Sequence, residues 1–237
     1  MKVPIPILKI FPVLLLCSSL DVNGENNQRS PKDPASSKCR DHFADNGGIN
    51  AISSGNSPQA WHHDGKTYVV YQGDMNAPTI TSYDHRKPKG ERWAPNVKVG
   101  VNPLGNTDTH GTPSMLIDKQ GYIHVFFGSH GRRQMYSRSQ RPYDITEWDK
   151  MPPVSLQMTY PCGAMLDNGT MLLIGRAGGH VRPWVELTSS DSGKTWSEER
   201  PIVDFRPHAL YGTVKSGVDG KTVHFTWSLQ AKGDLLK

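Results

Sequence analysis

The stretch from Asn106 to Trp148, NTDTHGTPSMLIDKQGYIHVFFGSHGRRQMYSRSQRPYDITEW, has the pattern of one complete β-hairpin with polar residues at its open end. An apolar run (113–118) and a run rich in aromatic and β-branched residues (122–127) flank the turn DKQG. The two strand ends of a hairpin that lie far from its turn are neighbours in space. We therefore predict that His110, before the first strand, and His130, after the second, meet at one end of a small sheet.

The same outline, an apolar strand, a tight glycine-containing turn and a second apolar strand, occurs four times. The four segments begin at Ser57, Thr112, Cys162 and Gly212, and their turn glycines are Gly65, Gly121, Gly169 and Gly220. These glycines are 56, 48 and 51 residues apart. Self-similarity near 50 residues indicates the blades of a propeller or another repeat architecture.

A second, less apolar pair of strands is predicted after each of the first three hairpins, within 79–93, 134–148 and 184–196. Four strands per repeat make a propeller blade, and helical periodicity is nearly absent. We predict an all-β chain in which residues 51–237 form about four blades. Four blades leave a ring open, so we expect the chain to be the N-terminal part of a longer propeller.

The last of those strand pairs contains the sharpest motif, SSDSGKTW. It matches the Asp-box, or BNR repeat, S-x-D-x-G-x-T-W, in residues Ser189, Asp191, Gly193, Thr195 and Trp196. The aspartate of such a motif bonds the backbone of its own turn, the glycine takes a positive φ, and the tryptophan packs into the blade. The motif therefore predicts a fold and not a catalytic residue.

The amino terminus has the pattern of an export signal. Residues 1–24 contain two lysines, a short apolar run and then small and polar residues, and 25–50 is a polar segment that we predict to be a disordered lead-in. The apolar run is too short to span a bilayer. We expect a secreted or periplasmic protein in which Cys39 and Cys162 remain, either paired or unpaired.

The charge excludes some partners. Removal of 1–24, which carries two lysines and one aspartate, lowers the formal net charge from +5 to +4. A mildly basic exported protein suits an anionic partner. There is no basic run and no nucleic-acid-binding module, so nucleic acid is not the expected ligand.

Superposition of the repeats on their turns predicts which side chains share one rim, at the end opposite the turns. They are Ser57, His110, Tyr160 and Tyr211 before the first strands, and Asp74, His130, Arg176 and Ser228 after the second strands. Two histidines, two tyrosines and an arginine at one rim can transfer protons and bind anions, with Arg132 and Arg133 beside them as substrate-binding cations. The alternative is structural: either histidine alone caps a loop, and the tyrosines fill gaps between blades.

The order H-G-T-P-S, D-x-x-G-Y-I-H-V-F-F-G-S-H, Y-P, G-R-A-G-G, Asp-box and L-Y-G-T-V resembles the BNR-repeat family that contains the ulvan lyases. That resemblance covers about residues 51–237. It implies a secreted seven-bladed propeller that cleaves a sulfated, uronate-containing polysaccharide. It also implies that five residues match the family's active-site positions: His110, His130, Tyr160, Arg176 and Tyr211.

β-Elimination of a uronate needs such residue types. The C5 proton is removed, the C4 oxygen leaves, and the C6 carboxylate must be neutralised. Arg176, helped by His130, is predicted to neutralise the carboxylate, and His110 is predicted to take the proton. Tyr160 or Tyr211 protonates the leaving oxygen, and which of them does so stays open. This chemistry requires no cofactor.

Several alternatives stay open. A structural zinc site drawing on Cys162, His180 and His208 is disfavoured because no close ligand spacing supports it. A sialidase would share the Asp-box, but it needs an F/Y-R-I-P motif that the region after residue 24 lacks. A non-catalytic carbohydrate-binding propeller would not need two histidines and an arginine at one rim. An inactive fragment is the last alternative.

Overall fold

The protein is described by a computed structural model that covers residues 44, 46–48 and 58–231. The predicted signal peptide (1–24), most of the predicted lead-in, Cys39 and Ser57 lie outside the described residues. No helix within the described ranges is long and apolar enough to cross a membrane. The fold prediction is confirmed: the regular structure is β-sheet, apart from one short 3-10 turn at Asp74–Asn76.

Thirteen strands follow one another along the described chain. They are β1 (Gln59–His63), β2 (Lys66–Gln72), β3 (Pro78–Asp84), β4 (Val97–Lys98), β5 (Ser114–Ile117), β6 (Ile123–Phe127), β7 (His130–Ser139), β8 (Trp148–Met165), β9 (Met171–Ala177), β10 (Trp184–Ser189), β11 (Arg200–Val203), β12 (Ala209–Ser216) and β13 (Val223–Gln230). All four predicted hairpins are present: β1–β2, β5–β6, β8–β9 and β12–β13.

Antiparallel neighbours group these strands into blades. The first blade is β1-β2-β3-β4, and the last described pair is β12-β13. The second and third blades form one seven-stranded sheet, β5 to β11, because β8 belongs to both. The first part of β8 pairs with β7 as the outer strand of the second blade. The last part of β8 pairs with β9 as the inner strand of the third blade.

The predicted bounds of the outer strand pairs were wrong. The predicted segments end at Trp93, Trp148 and Trp196, but the second outer strand begins at or after each of these tryptophans, in β4, β8 and β11. Trp93 and Trp196 lie beside turns and Trp148 is the first residue of β8, and all three pack against aromatic or apolar side chains. The turn residues before them therefore take up most of each predicted segment.

Apolar residues between blades form the core. One buried cluster joins β2 and β3 to β5 and β6, a second joins β6 and β7 to β9 and β10, and a third joins β8, β9 and β10 to β12 and β13. Strands such as β6 are buried on both faces because a blade lies on each side. Packing of this kind stabilises the stack and fixes the strand ends that hold the polar rim.

The Asp-box turn follows β10. The Asp191 carboxylate accepts hydrogen bonds from the Thr195 N–H and hydroxyl, which hold the pKa of Asp191 at about 2. Gly193 has φ 76°, and a Cβ there would lie 2.0 Å from the Tyr136 hydroxyl, so only glycine fits. Trp196 packs edge-on against Phe126. These contacts join the turn of the third blade to strands of the second.

Candidate active site

The five rim residues singled out above lie together in the structure. His110 comes from the loop between β4 and β5, and His130 begins β7. The remaining three, Tyr160, Arg176 and Tyr211, lie in β8, β9 and β12. Each of these elements reaches the rim at the end of its blade opposite the hairpin turns. The site is therefore assembled from three consecutive blades.

The two histidines are in direct contact. The imidazole rings of His110 and His130 stack with centroids 3.8 Å apart and an interplanar angle of 10°. The β5–β6 hairpin lies between them in sequence, and the pairing of its strands brings their ends together. The two histidines therefore lie together at one end of the sheet, as predicted.

One carboxylate binds both imidazoles. The Nδ1 of His110 lies 2.6 Å from Asp108 Oδ1, and the Nδ1 of His130 lies 2.7 Å from Asp108 Oδ2. Burial acts to raise the pKa of Asp108, but hydrogen bonds from the His110 backbone N–H and from both rings outweigh it and lower the pKa to about 2. An ionised carboxylate only accepts hydrogen bonds, so each ring must have its proton on Nδ1.

Each ring therefore presents Nε2 as its second nitrogen. Neither the Nε2 of His110 nor that of His130 has a hydrogen-bond partner in the part of the chain that the structure describes. In a neutral imidazole protonated on Nδ1, Nε2 has a free lone pair and can accept a proton. The rim thus contains two potential bases, oriented by the same acid.

Buried polar side chains hold the strand that begins with His130. The pairing of β7 with β8 is interrupted by three register shifts between His130 and Tyr136. Thr159 Oγ1 accepts the Gly131 N–H at 2.8 Å and donates to the Gly178 carbonyl at 3.0 Å. Such register shifts are β-bulges, which can redirect side chains towards a site. Here the hydrogen bonds of Thr159 hold the backbone next to His130.

The two tyrosines and the arginine form the other half of the site. The rings of Tyr160 and Tyr211 lie 5.6 Å apart, and the Arg176 guanidinium carbon lies 4.9 Å and 5.3 Å from their centroids. Tyr160 has φ 58°, a left-handed conformation that is strained for a tyrosine. Its ring is 6.1 Å from that of His110. Strain at this position is typical of functional sites.

Burial raises the pKa of the Tyr160 hydroxyl, and the nearby charge of Arg176 offsets part of that rise. The phenol is therefore protonated at neutral pH. Arg176 itself is only 1 % exposed and lies behind the two rings. The role predicted for Arg176, neutralisation of a substrate carboxylate, stays a prediction, and in this structure the guanidinium contacts both tyrosine rings. Its charge acts on Tyr160, whose pKa it lowers.

Two members of the site were missed by sequence reasoning. Asp108 stands two residues before His110, and an acid so close to a candidate base was a signal that could have been used. His180 was considered only as a metal ligand, but its Nε2 lies 3.1 Å from the Tyr211 hydroxyl and 2.8 Å from Gln230 Oε1. His180 therefore contacts the tyrosine half of the site.

The other predicted residues lie around the site. Arg132 and Arg133 are exposed in β7, next to His130. The Ser228 hydroxyl donates to the Tyr211 carbonyl at 3.5 Å, and Asp74 is exposed beyond β2. Both arginines are accessible to a ligand that reaches the histidines.

Metal ligation differs from the set considered in the sequence. Within residues 58–231, one group of three His, Cys, Asp or Glu side chains has ligand atoms within 4.8 Å of one another, and it is Asp108, His110 and His130. Cys162, His180 and His208 do not form such a group there. The Cys162 thiol is buried, which raises its pKa to about 11, and it lies 3.7 Å from the Tyr160 carbonyl oxygen.

Comparison with known proteins identifies relatives. Residues 59–235 match the family described as BNR repeat-containing. An ulvan lyase of Nonlabens ulvanivorans is 32% identical over 96% of this chain and 49% of its own length. An ulvan lyase of Pseudoalteromonas sp. (strain PLSV) is 30% identical over 93% of this chain and 48% of its own length. The chain spans about half the length of the curated relatives it matches.

Solved structures agree with the fold. A polysaccharide lyase of family PL25, an ulvan lyase bound to -[GlcA(1-4)Rha3S]-, matches 75% of this chain and 46% of its own chain, with 31% identity and a TM-score of 0.67. The polysaccharide lyase Uly1 matches 77% of this chain and 51% of its own chain with a TM-score of 0.53, but at 14% identity it supports the fold alone.

Proposed function

The chain belongs to the BNR repeat-containing family, and from that premise we propose that it contributes the active site of a polysaccharide lyase. The proposed substrate is an acidic polysaccharide that contains uronate, and the proposed reaction is β-elimination. The names of the relatives support this class of activity, and one of them is bound to a sugar chain that contains GlcA. The observation that carries the proposal is the carboxylate shared by two stacked histidines beside Tyr160.

His110 is the proposed base. Asp108 holds the proton of its ring on Nδ1, so Nε2 is free to take the C5 proton of the uronate. The electron pair of the broken C5–H bond forms the C4–C5 double bond, and the C4–O bond breaks. General base catalysis of this kind contributes roughly 10²- to 10⁴-fold to the rate.

His130 is the proposed partner of the substrate carboxylate. Its ring lies parallel to that of His110 and is bound to the other oxygen of Asp108. When protonated, its Nε2–H can donate to the C6 carboxylate as negative charge develops there. Arg132 and Arg133 add positive charge at the exposed edge of β7.

Tyr160 is the proposed acid. Its hydroxyl is protonated at neutral pH, and it can give its proton to the departing C4 oxygen. The charge of Arg176, whose guanidinium carbon lies 4.9 Å from the centroid of the Tyr160 ring, would stabilise the phenolate that remains. Tyr211 lies on the same guanidinium and positions it. Side chains thus supply both proton transfers, and the scheme requires no metal ion.

The complete gene product, incubated with ulvan and then with other uronate polymers, tests the proposal. The measurement is the ultraviolet absorbance of the unsaturated uronate, which elimination produces and hydrolysis does not. We expect the absorbance to rise on at least one of these polymers, and the rise to require His110. A folded protein that binds such a polymer without any rise would be a carbohydrate-binding propeller, and new reducing ends without a rise would indicate a hydrolase.

A further inference from the structure

The loop that joins β4 to β5, residues 99–113, contains both Asp108 and His110 but no strand. Loops of this length in compact domains need hydrogen bonds from elsewhere to keep one conformation. Here three buried amide side chains supply them: Gln72 at the end of β2, Asn76 just after it, and Asn102 within the loop. We call these three residues the amide clasp.

The amide clasp binds main-chain carbonyls of the loop at and beside Asp108. Gln72 Nε2 donates to the carbonyl of Thr109 at 3.2 Å, which precedes His110. Asn76 Nδ2 donates to the carbonyls of Gly105 at 3.3 Å and Asp108 at 3.4 Å. The main chain of the catalytic loop is therefore bound to the first blade at residues 105, 108 and 109.

Asn102 closes the clasp from the loop side. Its Nδ2 donates to the carbonyl of Asn76 at 2.9 Å, and its Oδ1 accepts the Leu104 N–H at 3.0 Å. Buried amides without partners are costly, and these bonds satisfy donors on both sides. The first blade and the loop thus bind each other reciprocally.

The backbone at the clasp is strained. Met75 has φ 57° and Asn76 has φ 54°, two consecutive residues in the left-handed region. A residue other than glycine in this region is strained unless its surroundings fix it, and strain of this kind clusters at functional sites. The Met75 side chain is exposed and has little packing to offset the cost. This conformation places the Asn76 side-chain amide against the loop, where it donates its two hydrogen bonds.

We propose that Asn76 and Gln72 are positioning residues, which set the main chain at Asp108 and thereby align both histidines. The kinetic part of this inference rests on the proposed function. Asp108 has to meet two Nδ1 atoms at once, at 2.6 Å and 2.7 Å, so a small displacement of its backbone misaligns both rings together. Neither amide touches the substrate in this scheme, so their loss lowers kcat and leaves KM nearly unchanged.

The principal variant is Asn76→Gly. Glycine adopts φ 54° without strain, so the turn is kept while both hydrogen bonds to the loop are lost. Gln72→Met is the second variant, because it keeps the volume and removes the donor to Thr109. Thr81→Val is the matched control: Thr81 is buried in the same blade and donates to the carbonyl of Ala94 at 2.7 Å, away from the loop.

Two measurements are made on the complete gene product. Nuclear magnetic resonance of the histidine side chains reports the Nδ1–H protons bonded to Asp108, and steady-state kinetics on the preferred uronate polymer separates kcat from KM. We expect both Nδ1–H signals to shift or disappear in Asn76→Gly and Gln72→Met, with kcat lower by about 10- to 100-fold. Thr81→Val is expected to lower the unfolding midpoint without either change.

Unchanged Nδ1–H signals in Asn76→Gly and Gln72→Met, with midpoints lowered as in Thr81→Val, would overturn the inference and leave the clasp a structural feature. If the wild-type protein cleaves no uronate polymer, the proposed function fails by itself. The Nδ1–H signals then still decide whether the clasp positions Asp108, because they do not depend on turnover.

Discussion

Within residues 58–231, two carboxylate–imidazole clusters have similar composition and opposite surroundings. The rim cluster is Asp108 with His110 and His130, and the core cluster is Asp118 with His124. The side chains of the rim cluster are 28–36% exposed, whereas those of Asp118 and His124 are 2% and 0% exposed. The rim cluster lies at the open end of the β5–β6 hairpin, and the core cluster lies at its turn.

The difference lies in the second nitrogen of each ring. In the core, His124 Nε2 lies 3.1 Å from Asp118 Oδ2, and His124 Nδ1 lies 2.6 Å from the Tyr136 hydroxyl, which donates to it. Ser192 of the Asp-box turn also donates to Asp118. Every polar atom of that imidazole is satisfied within the fold, so the cluster stabilises and cannot react. At the rim the second nitrogen of each ring has no hydrogen-bond partner among the described residues, so it is available to a ligand.

The largest expected effect breaks the rim cluster. His110→Ala removes the proposed base, so turnover on a uronate polymer should fall about 10²- to 10⁴-fold. The unfolding midpoint should change little, because the side chain is partly exposed and borders the solvent. Rate by ultraviolet absorbance and midpoint by circular dichroism are the measurements. The matched control is His85→Ala, an exposed histidine of the first blade, which should retain full activity; an active His110→Ala would remove the rim from the mechanism.

The next largest effect breaks the core cluster. Asp118→Ala leaves the His124 Nε2–H, the Ser192 hydroxyl and the backbone N–H groups of Gln120 and Tyr122 without their acceptor. Removal of one partner from such a buried network costs about 3–5 kcal/mol of unfolding free energy. Urea unfolding measures that loss. The activity per folded molecule should remain, and a variant as stable as the wild type but inactive would contradict the division between the clusters.

The sequence distinguished these two regions only in part. The hairpin pattern was enough to predict that His110 and His130 meet, because strand pairing fixes which ends are adjacent. It assigned Asp118 only to a turn, although the same carboxylate also binds His124, which lies six residues further along the chain. A strand pattern shows which face a residue is on, but it does not show which buried polar groups meet. Hydrogen bonds between blades, such as that from Ser192, depend on three-dimensional packing.

The tyrosine half of the site shows the same limit. The repeat placed Tyr160, Arg176 and Tyr211 at one rim, but no repeat position indicated the left-handed backbone of Tyr160 or the continuous strand β8. Nor did it indicate that the tyrosine rings cover Arg176. Residue type predicted a carboxylate-binding arginine, but it gave no sign that the guanidinium is buried against two aromatic rings.

A smaller effect is expected from pH, and it concerns the core cluster. Burial lowers the pKa of His124 below its usual 6.5, and the charge of Arg138 lowers it further, although Asp118 opposes both. The unfolded chain therefore binds a proton more readily than the folded chain. Stability that is complete above pH 6.5 is lost as the pH falls below that value. The depressed pKa of Asp118 adds a further loss below pH 3.8.

The test compares the wild type with His124→Gln, which has no titrating ring. Unfolding midpoints are measured between pH 8 and pH 4.5, above the range in which Asp108 and Asp118 titrate. We expect the midpoint of the wild type to decrease more steeply with acid than that of His124→Gln. Parallel curves would mean that the core imidazole does not contribute to acid sensitivity.

The smallest expected effect concerns only the exposed cluster. Arg132 and Arg133 lie beside His130 at the surface, where a charge contributes roughly 0.2–1 kcal/mol to an ionic contact. The double variant Arg132→Gln, Arg133→Gln should raise KM for an anionic polymer a few-fold at low salt, with kcat nearly unchanged.

The control variant, Lys119→Gln with Lys221→Gln, removes the same charge at the hairpin turns, at the other end of the blades. Both variants change the net charge equally, so only a local effect separates them. The difference in KM should diminish as salt screens the arginines. Equal KM values for the two double variants would mean that the polymer responds to the net charge of the protein. Arg132 and Arg133 would then make no local contact with the polymer beside the rim cluster.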